Sequence, residues 1–279
     1  MSATRAAKIS VLAMLVVLAG FFFGWACGQI NQQYDLILLL DASFLPTLLF
    51  LLAAMASVAV AGGLTAALVR PLWLSALIFA LSSCAVFLGW GVGLPGAVGA
   101  VVYLLASLVY CRGVAAALDS RLKFSVEPIS GSQATLLTGL AIAASLSLYF
   151  GYATEIEREG FVVPPALKDS IRQMAMGPMA AQIEARTDLD SEEREALIAQ
   201  MMQGFEEQWL EPVEEKLESY EGFVPWIVAF ALFQLLAVVN SLLSWIPVLI
   251  LAAIFPVLAA LRVTRRLTET REVERLTLG

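Results

Sequence analysis

The chain has 279 residues, of which 59% are hydrophobic and only 15% charged, and it contains no histidine. An average soluble domain carries about 25% charged residues. The shortage here, with apolar runs of about 18 residues or more, predicts an all-α, polytopic transmembrane helical bundle and excludes a β-barrel built from short alternating segments.

The net charge of −7 is unevenly spread. Residues 154–222 hold 17 Asp and Glu against 6 Lys and Arg, a local charge of −11, which leaves +4 for the rest. Acidity confined to one insert, with mildly basic flanks, argues against nucleic acid as a partner, because such binding needs a basic surface. The missing histidine removes the commonest general base and the commonest metal ligand. The expectation is therefore no catalytic residue, no cofactor and no metal.

In chain order, Arg5 and Lys8 precede an apolar run from Ile9 to about Gly28, long enough to span a bilayer. A secretory signal would begin the same way, and Ala26-Cys27 faintly resembles a lipoprotein cleavage site, but Gly24 and Trp25 suit that site poorly, so a retained first helix is expected. Gly20, Gly24 and Gly28 are spaced to share one face and let another helix approach closely. Packing inside the bundle is the plain reading of this stripe and homodimerisation the sharper one. Residues 31–41 leave the membrane. A second helix, Phe44 to Val69, stops at Arg70-Pro71, where proline cannot continue it. A third runs from Leu72 to about Trp90 and meets a turn rich in glycine. A fourth covers Ala97 to Tyr110 and extends toward Leu118. The stretch Arg121 to Gly131 reads as a polar loop, and a fifth helix, Ala134 to Ala153, carries enough Ala, Ser and Gly to pack on several neighbours. Cys27, Cys84 and Cys111 lie in or beside these runs without a Cys-x-x-Cys spacing and read as small packing residues.

Arg5 and Lys8, then Arg70, then Arg112, Arg121 and Lys123 fall on one face of the bundle. The bias of short basic loops places that face, and the N-terminus, in the cytoplasm. The insert, residues 154–222, is then extracytoplasmic. Within it, Leu167, Ile171, Met174, Met179 and Ile183 form an apolar stripe after Pro164-Pro165 and around Gly177-Pro178. Asp190, with Glu193 three residues on, resembles a capping box. The helix it opens carries Leu197, Ile198, Met201, Met202, Phe205, Trp209, Val213, Leu217 and Tyr220 on one face. The expectation is an acidic helical hairpin. Two helices alone cannot cover Met201, Met202, Phe205, Trp209, Val213 and Tyr220, which become the candidate interaction face for a protein partner or a second copy of the chain. Asp188-x-Asp190-x-Glu192 imitates the start of a calcium loop, but Glu193 and Ala199 stand where glycine and a carboxylate are needed.

The last apolar run, Phe223 to Leu261, is too long for one straight crossing: 39 residues of helix extend about 58 Å, against a hydrocarbon core of about 30 Å. Length favours a hairpin turning near Asn240 to Trp245 and thus seven spans. The arginines at 262, 265 and 266 favour one broken crossing and six spans, which is the preferred reading. Residues 263–279 form a charged tail. The chain thus divides into a five-helix membrane region (1–153), the insert (154–222), a C-terminal membrane region (223–262) and the tail. Ionisable residues are absent from the depths of the spans, which speaks against an energised transporter. Gln234 and Asn240 are the strongly polar side chains of the last run and the candidates for a transport path. The leading expectation is a non-enzymatic membrane protein with an interaction element outside the membrane; the alternative is a passive channel or small-molecule transporter.

Overall fold

The computed structural model describes residues 3–32, 44–119, 127–160, 190–205 and 222–261, with Ala175, Gly177, Ile183, Gln208 and Pro212. The described chain is helical: α1 (Ala3–Gln32), α2 (Phe44–Leu68), α3 (Leu72–Trp90), α4 (Leu94–Asp119), α5 (Glu127–Glu159), α6 (Ser191–Phe205), α7 (Val224–Leu243) and α8 (Trp245–Ala260). Among these, α1 to α5 and α7 are long and apolar enough to cross a membrane, while α8 is shorter. The fold is a polytopic transmembrane helical bundle.

The helices differ from soluble ones in which residues they turn inward. On α3, Ser75, Phe79, Ser82, Ser83, Val86 and Trp90 are buried. Its exposed side holds Trp73, Leu77, Leu81 and Leu88. Both faces are apolar, so no amphipathic stripe separates core from surroundings. Lipid tails solvate leucine as well as a protein core does, so inward faces are instead selected for small residues and hydroxyls that permit close approach.

The α1–α3 pair is the most extensive in the bundle. Gly20 lies against Ser82, Gly24 against Val86 and Gly28 against Trp90. Residue numbers rise together along both helices, so the two run parallel, with α2 returning between them. Val16, Phe23, Cys27 and Ile30 of α1 are buried, which makes this first helix an integral part of the core. The glycine stripe therefore packs within the chain.

α5 is the most enclosed span, contacting α4, α7, α1 and α2. It starts at Glu127 and not at Ala134. Pro128 and Gly131 suggested a loop, but proline is tolerated in a first helical turn, where its missing N–H has no partner to lose. It also continues to Glu159, past the expected membrane boundary at 153. α3 ends on Gly91 at φ +113, a conformation that L side chains rarely adopt, and the Gly91 N–H caps the Phe87 carbonyl at 3.2 Å.

The C-terminal run bends once. Ser244 alone separates α7 from α8, and its own backbone is helical (φ −58, ψ −23). An antiparallel helical hairpin needs about 2–5 loop residues, and its arms would lie side by side. Here α7 packs on α5 while α8 packs chiefly on α2. The two arms thus do not lie side by side as in a helical hairpin, and the run is two helices that meet in a bend at Ser244. Pro247 supplies the cause: it cannot donate to the Leu243 carbonyl, and its ring crowds the preceding turn.

Candidate functional site

Polar side chains converge in the interior of the bundle. The Tyr103 and Ser82 hydroxyls lie 2.8 Å apart, and Ser82 also reaches the Val16 carbonyl at 2.8 Å. This ties α4, α3 and α1 together at mid-depth. Beside it, the Ser83 hydroxyl donates to the Ala100 carbonyl at 2.8 Å. Deeper toward the Arg70 end, the Gln133 amide donates to the Ser244 carbonyl at 3.3 Å, linking α5 to the bend between α7 and α8. Several buried polar atoms find no partner among the described residues, including Asn31 Oδ1, Trp90 Nε1, Tyr110 OH, Gln133 Oε1 and Asn240 Nδ2. These groups lie on five different helices of the membrane region.

The two ends of the bundle are marked by different chemistry. At one end Arg70 and Asp119 pair at 2.9 Å and join the ends of α2 and α4. At the other, Tyr149 of α5 meets Trp226 of α7 with ring centroids 4.4 Å apart. Trp25 and Trp226 toward this end, and Trp73 and Trp245 toward the Arg70 end, are all exposed, the placement of interfacial anchors at both membrane surfaces.

The sequence-derived candidates fall in several places. Gly20, Gly24 and Gly28 face α3. On α6, which begins directly after Asp190, Leu197, Ile198, Met201 and Phe205 are half-buried; Met202 is helical. Trp209, Val213, Leu217 and Tyr220 lie outside the described residues, as do Leu167, Ile171, Met174, Met179 and the tail. Ile183 is helical and buried, and Gly177 is helical. Gln234 is exposed, whereas Asn240 is half-buried. Six residues on a helix amount to about 240° of rotation, so these two side chains lie on different faces of α7. Of the cysteines, Cys27 and Cys111 are buried but Cys84 faces outward, so only two of the three serve as packing residues.

Sequence reasoning missed Ser82, Tyr103, Tyr110 and Gln133. Isolated hydroxyls in apolar runs carry no spacing signal, and Gln133 fell in what read as the end of a loop. Among the described residues, no three Cys, Asp or Glu side chains come together to hold a metal.

What the geometry defines is a multi-pass membrane protein whose largely apolar interior holds a few hydroxyl and amide side chains. No known protein family, curated protein or solved structure matches the chain.

Proposed function

We propose that this is a non-enzymatic membrane protein in which the insert, residues 154–222, acts as an extracytoplasmic interaction or assembly element. The observation that carries the reading is α6. Its Leu197, Ile198, Met201 and Phe205 each keep part of their surface exposed, and among the described residues α6 makes no extensive contact with another helix. A partly exposed apolar face in a strongly acidic segment is what a protein partner or a second copy would cover, and methionine adapts well to such a contact. The bias of basic residues toward the Arg70 end supports an N-terminus in the cytoplasm and the insert outside.

Deletion of residues 165–220 tests this. The full chain and the shortened one are purified from the same membranes, and their co-purifying partners and complex sizes compared. Loss of a partner or a smaller complex supports the reading; identical partners and size overturn it.

A passive channel or small-molecule transporter is the second reading, and Asn240 favours it: a half-buried amide whose donor is unmatched, on a bent helix within the bundle. Flux in proteoliposomes that falls in Asn240→Leu, and is indifferent to Gln234→Leu, would support it.

A further inference from the structure

We infer that Tyr110, Gln133 and Asn240 together bind water inside the bundle, at the bend between α7 and α8. Tyr110 is 0% and Gln133 2% exposed, yet Tyr110 OH and Gln133 Oε1 have no hydrogen-bond partner among the described residues, nor does Asn240 Nδ2. The Tyr110 hydroxyl lies at a junction of helices. A Cβ placed on Gly63 of α2 would lie 3.3 Å from the Tyr110 hydroxyl, 3.3 Å from Ile129 Cγ2 and 2.7 Å from Leu251 Cδ1, so α2, α4, α5 and α8 meet there. Gln133 stands one turn after Ile129 on the same face of α5, and donates to the carbonyl of Ser244. Asn240 stands one turn before Ser244 on the same face of α7. Gln133 is thus one helical turn from the Ile129 that lies beside Tyr110, and Asn240 one turn from the carbonyl that Gln133 binds.

The donor and acceptor inventory selects the ligand. Asn240 offers N–H donors, Gln133 a carbonyl acceptor, and Tyr110 one hydroxyl that both donates and accepts. All three groups are uncharged, so the set suits a neutral molecule able to give and receive. Internal waters make about three hydrogen bonds each, typically to buried polar groups that would otherwise go unmatched. A polar group held in a bilayer without a partner is costly, and irregular helix at membrane depth persists where protein or water satisfies it. Access is short, because Gln133 is only about 9 Å along α5 from its first residue.

Pulsed X-ray hydroxyl-radical labelling of the full chain in lipid nanodiscs, read by mass spectrometry, tests the inference. The radicals form from water and react close to their origin, so a fully buried ring is modified only beside bound water. Tyr110 is compared with Phe79, which is also 0% exposed but lies among Gly62 and Leu136. After correction for intrinsic reactivity, Tyr110 is expected to react several-fold faster than Phe79. The doubly substituted Gln133→Leu, Asn240→Leu chain should bring Tyr110 down to the Phe79 rate. Equal rates in the unaltered chain overturn the inference, and need no variant to fold; so does a Tyr110 rate that the double substitution leaves unchanged. The insert deletion does not touch these groups, so failure here and failure of the interaction reading are separate results.

Discussion

Gly24 lies against the main-chain carbonyl of Val86, and one turn away on either side Gly20 meets Ser82 and Gly28 meets Trp90. α1 and α3 therefore touch nearly backbone to backbone over three successive turns. Any Cβ at Gly24 must push the helices apart, because its neighbour is main chain and not the end of a flexible side chain. Overpacking of this kind costs about 1–3 kcal/mol. Gly24→Val is expected to lower the thermal unfolding midpoint in detergent accordingly. Gly131 is the internal control: it sits within α5, and a Cβ added there would meet nothing within 4 Å. Gly131→Ala should stabilise by about 0.5–1 kcal/mol, since helical glycine loses more backbone freedom than alanine. Equal effects at the two positions would show that the α1–α3 contact is not specific.

The spans themselves were legible because hydrocarbon thickness fixes their length. The core was not. In α3 the inward Ser82 and Val86 and the outward Leu81 and Leu88 give no periodic contrast, so nothing in the run says which face meets protein. Tyr103 and Gln133 matter only through residues 21 and 111 positions away, Ser82 and Ser244. The start of α6 was legible, because a cap such as Asp190 is a local device. The bend at Ser244 was half legible: length and charge pointed in opposite directions over this run, and Pro247 is the local reason for the helix to break there. The glycine stripe gave away a close contact but not its partner helix.

Ser82 and Tyr103 form a buried hydroxyl pair whose removal is asymmetric. Tyr103→Phe leaves Ser82 bonded to the Val16 carbonyl, so no polar atom of Ser82 is stranded. Ser82→Ala takes this partner from the Tyr103 hydroxyl, leaving it only the Ser107 side chain of its own helix, and opens a contact among three helices. Leaving a buried group unmatched costs about 1–3 kcal/mol, against about 0.5–1.5 kcal/mol for an ordinary lost hydrogen bond. Ser82→Ala is therefore expected to be the more damaging change. The coupling from a double-mutant cycle should be about 1 kcal/mol, as for hydrogen bonds between membrane helices. A cycle that closes to zero would mean the pair does not interact in the membrane.

Arg70 and Asp119 pair at 2.9 Å, but their side chains are 41% and 50% exposed. Solvent and salt screen such a pair, which limits its contribution to about 0–1 kcal/mol. Asp119→Asn should shift stability by no more than that, and the difference from the unaltered chain should shrink as salt is raised. A large, salt-independent loss would require a role for Asp119 beyond this ion pair.

The course of α7 and α8 makes a topological prediction. α7 starts beside Tyr149, near the end of α5 that leads into the insert, and its far end at Ser244 bonds to Gln133, near the start of α5. Because α8 bends away without folding back along α7, the chain after Leu261 should emerge on the Arg70 side, opposite the insert. This would give six crossings with both termini on one side. Single cysteines at Ser120, Thr277 and Gln208 can report it. The native thiols interfere little with a membrane-impermeant polar reagent, since Cys27 and Cys111 are buried and Cys84 sits midway along a span, facing outward. Ser120→Cys and Thr277→Cys should be labelled from the same side of sealed vesicles, and Gln208→Cys only from the other. Labelling of Thr277→Cys together with Gln208→Cys would instead require a seventh crossing, and with it a reversal of the chain at Ser244 that its helical backbone does not make.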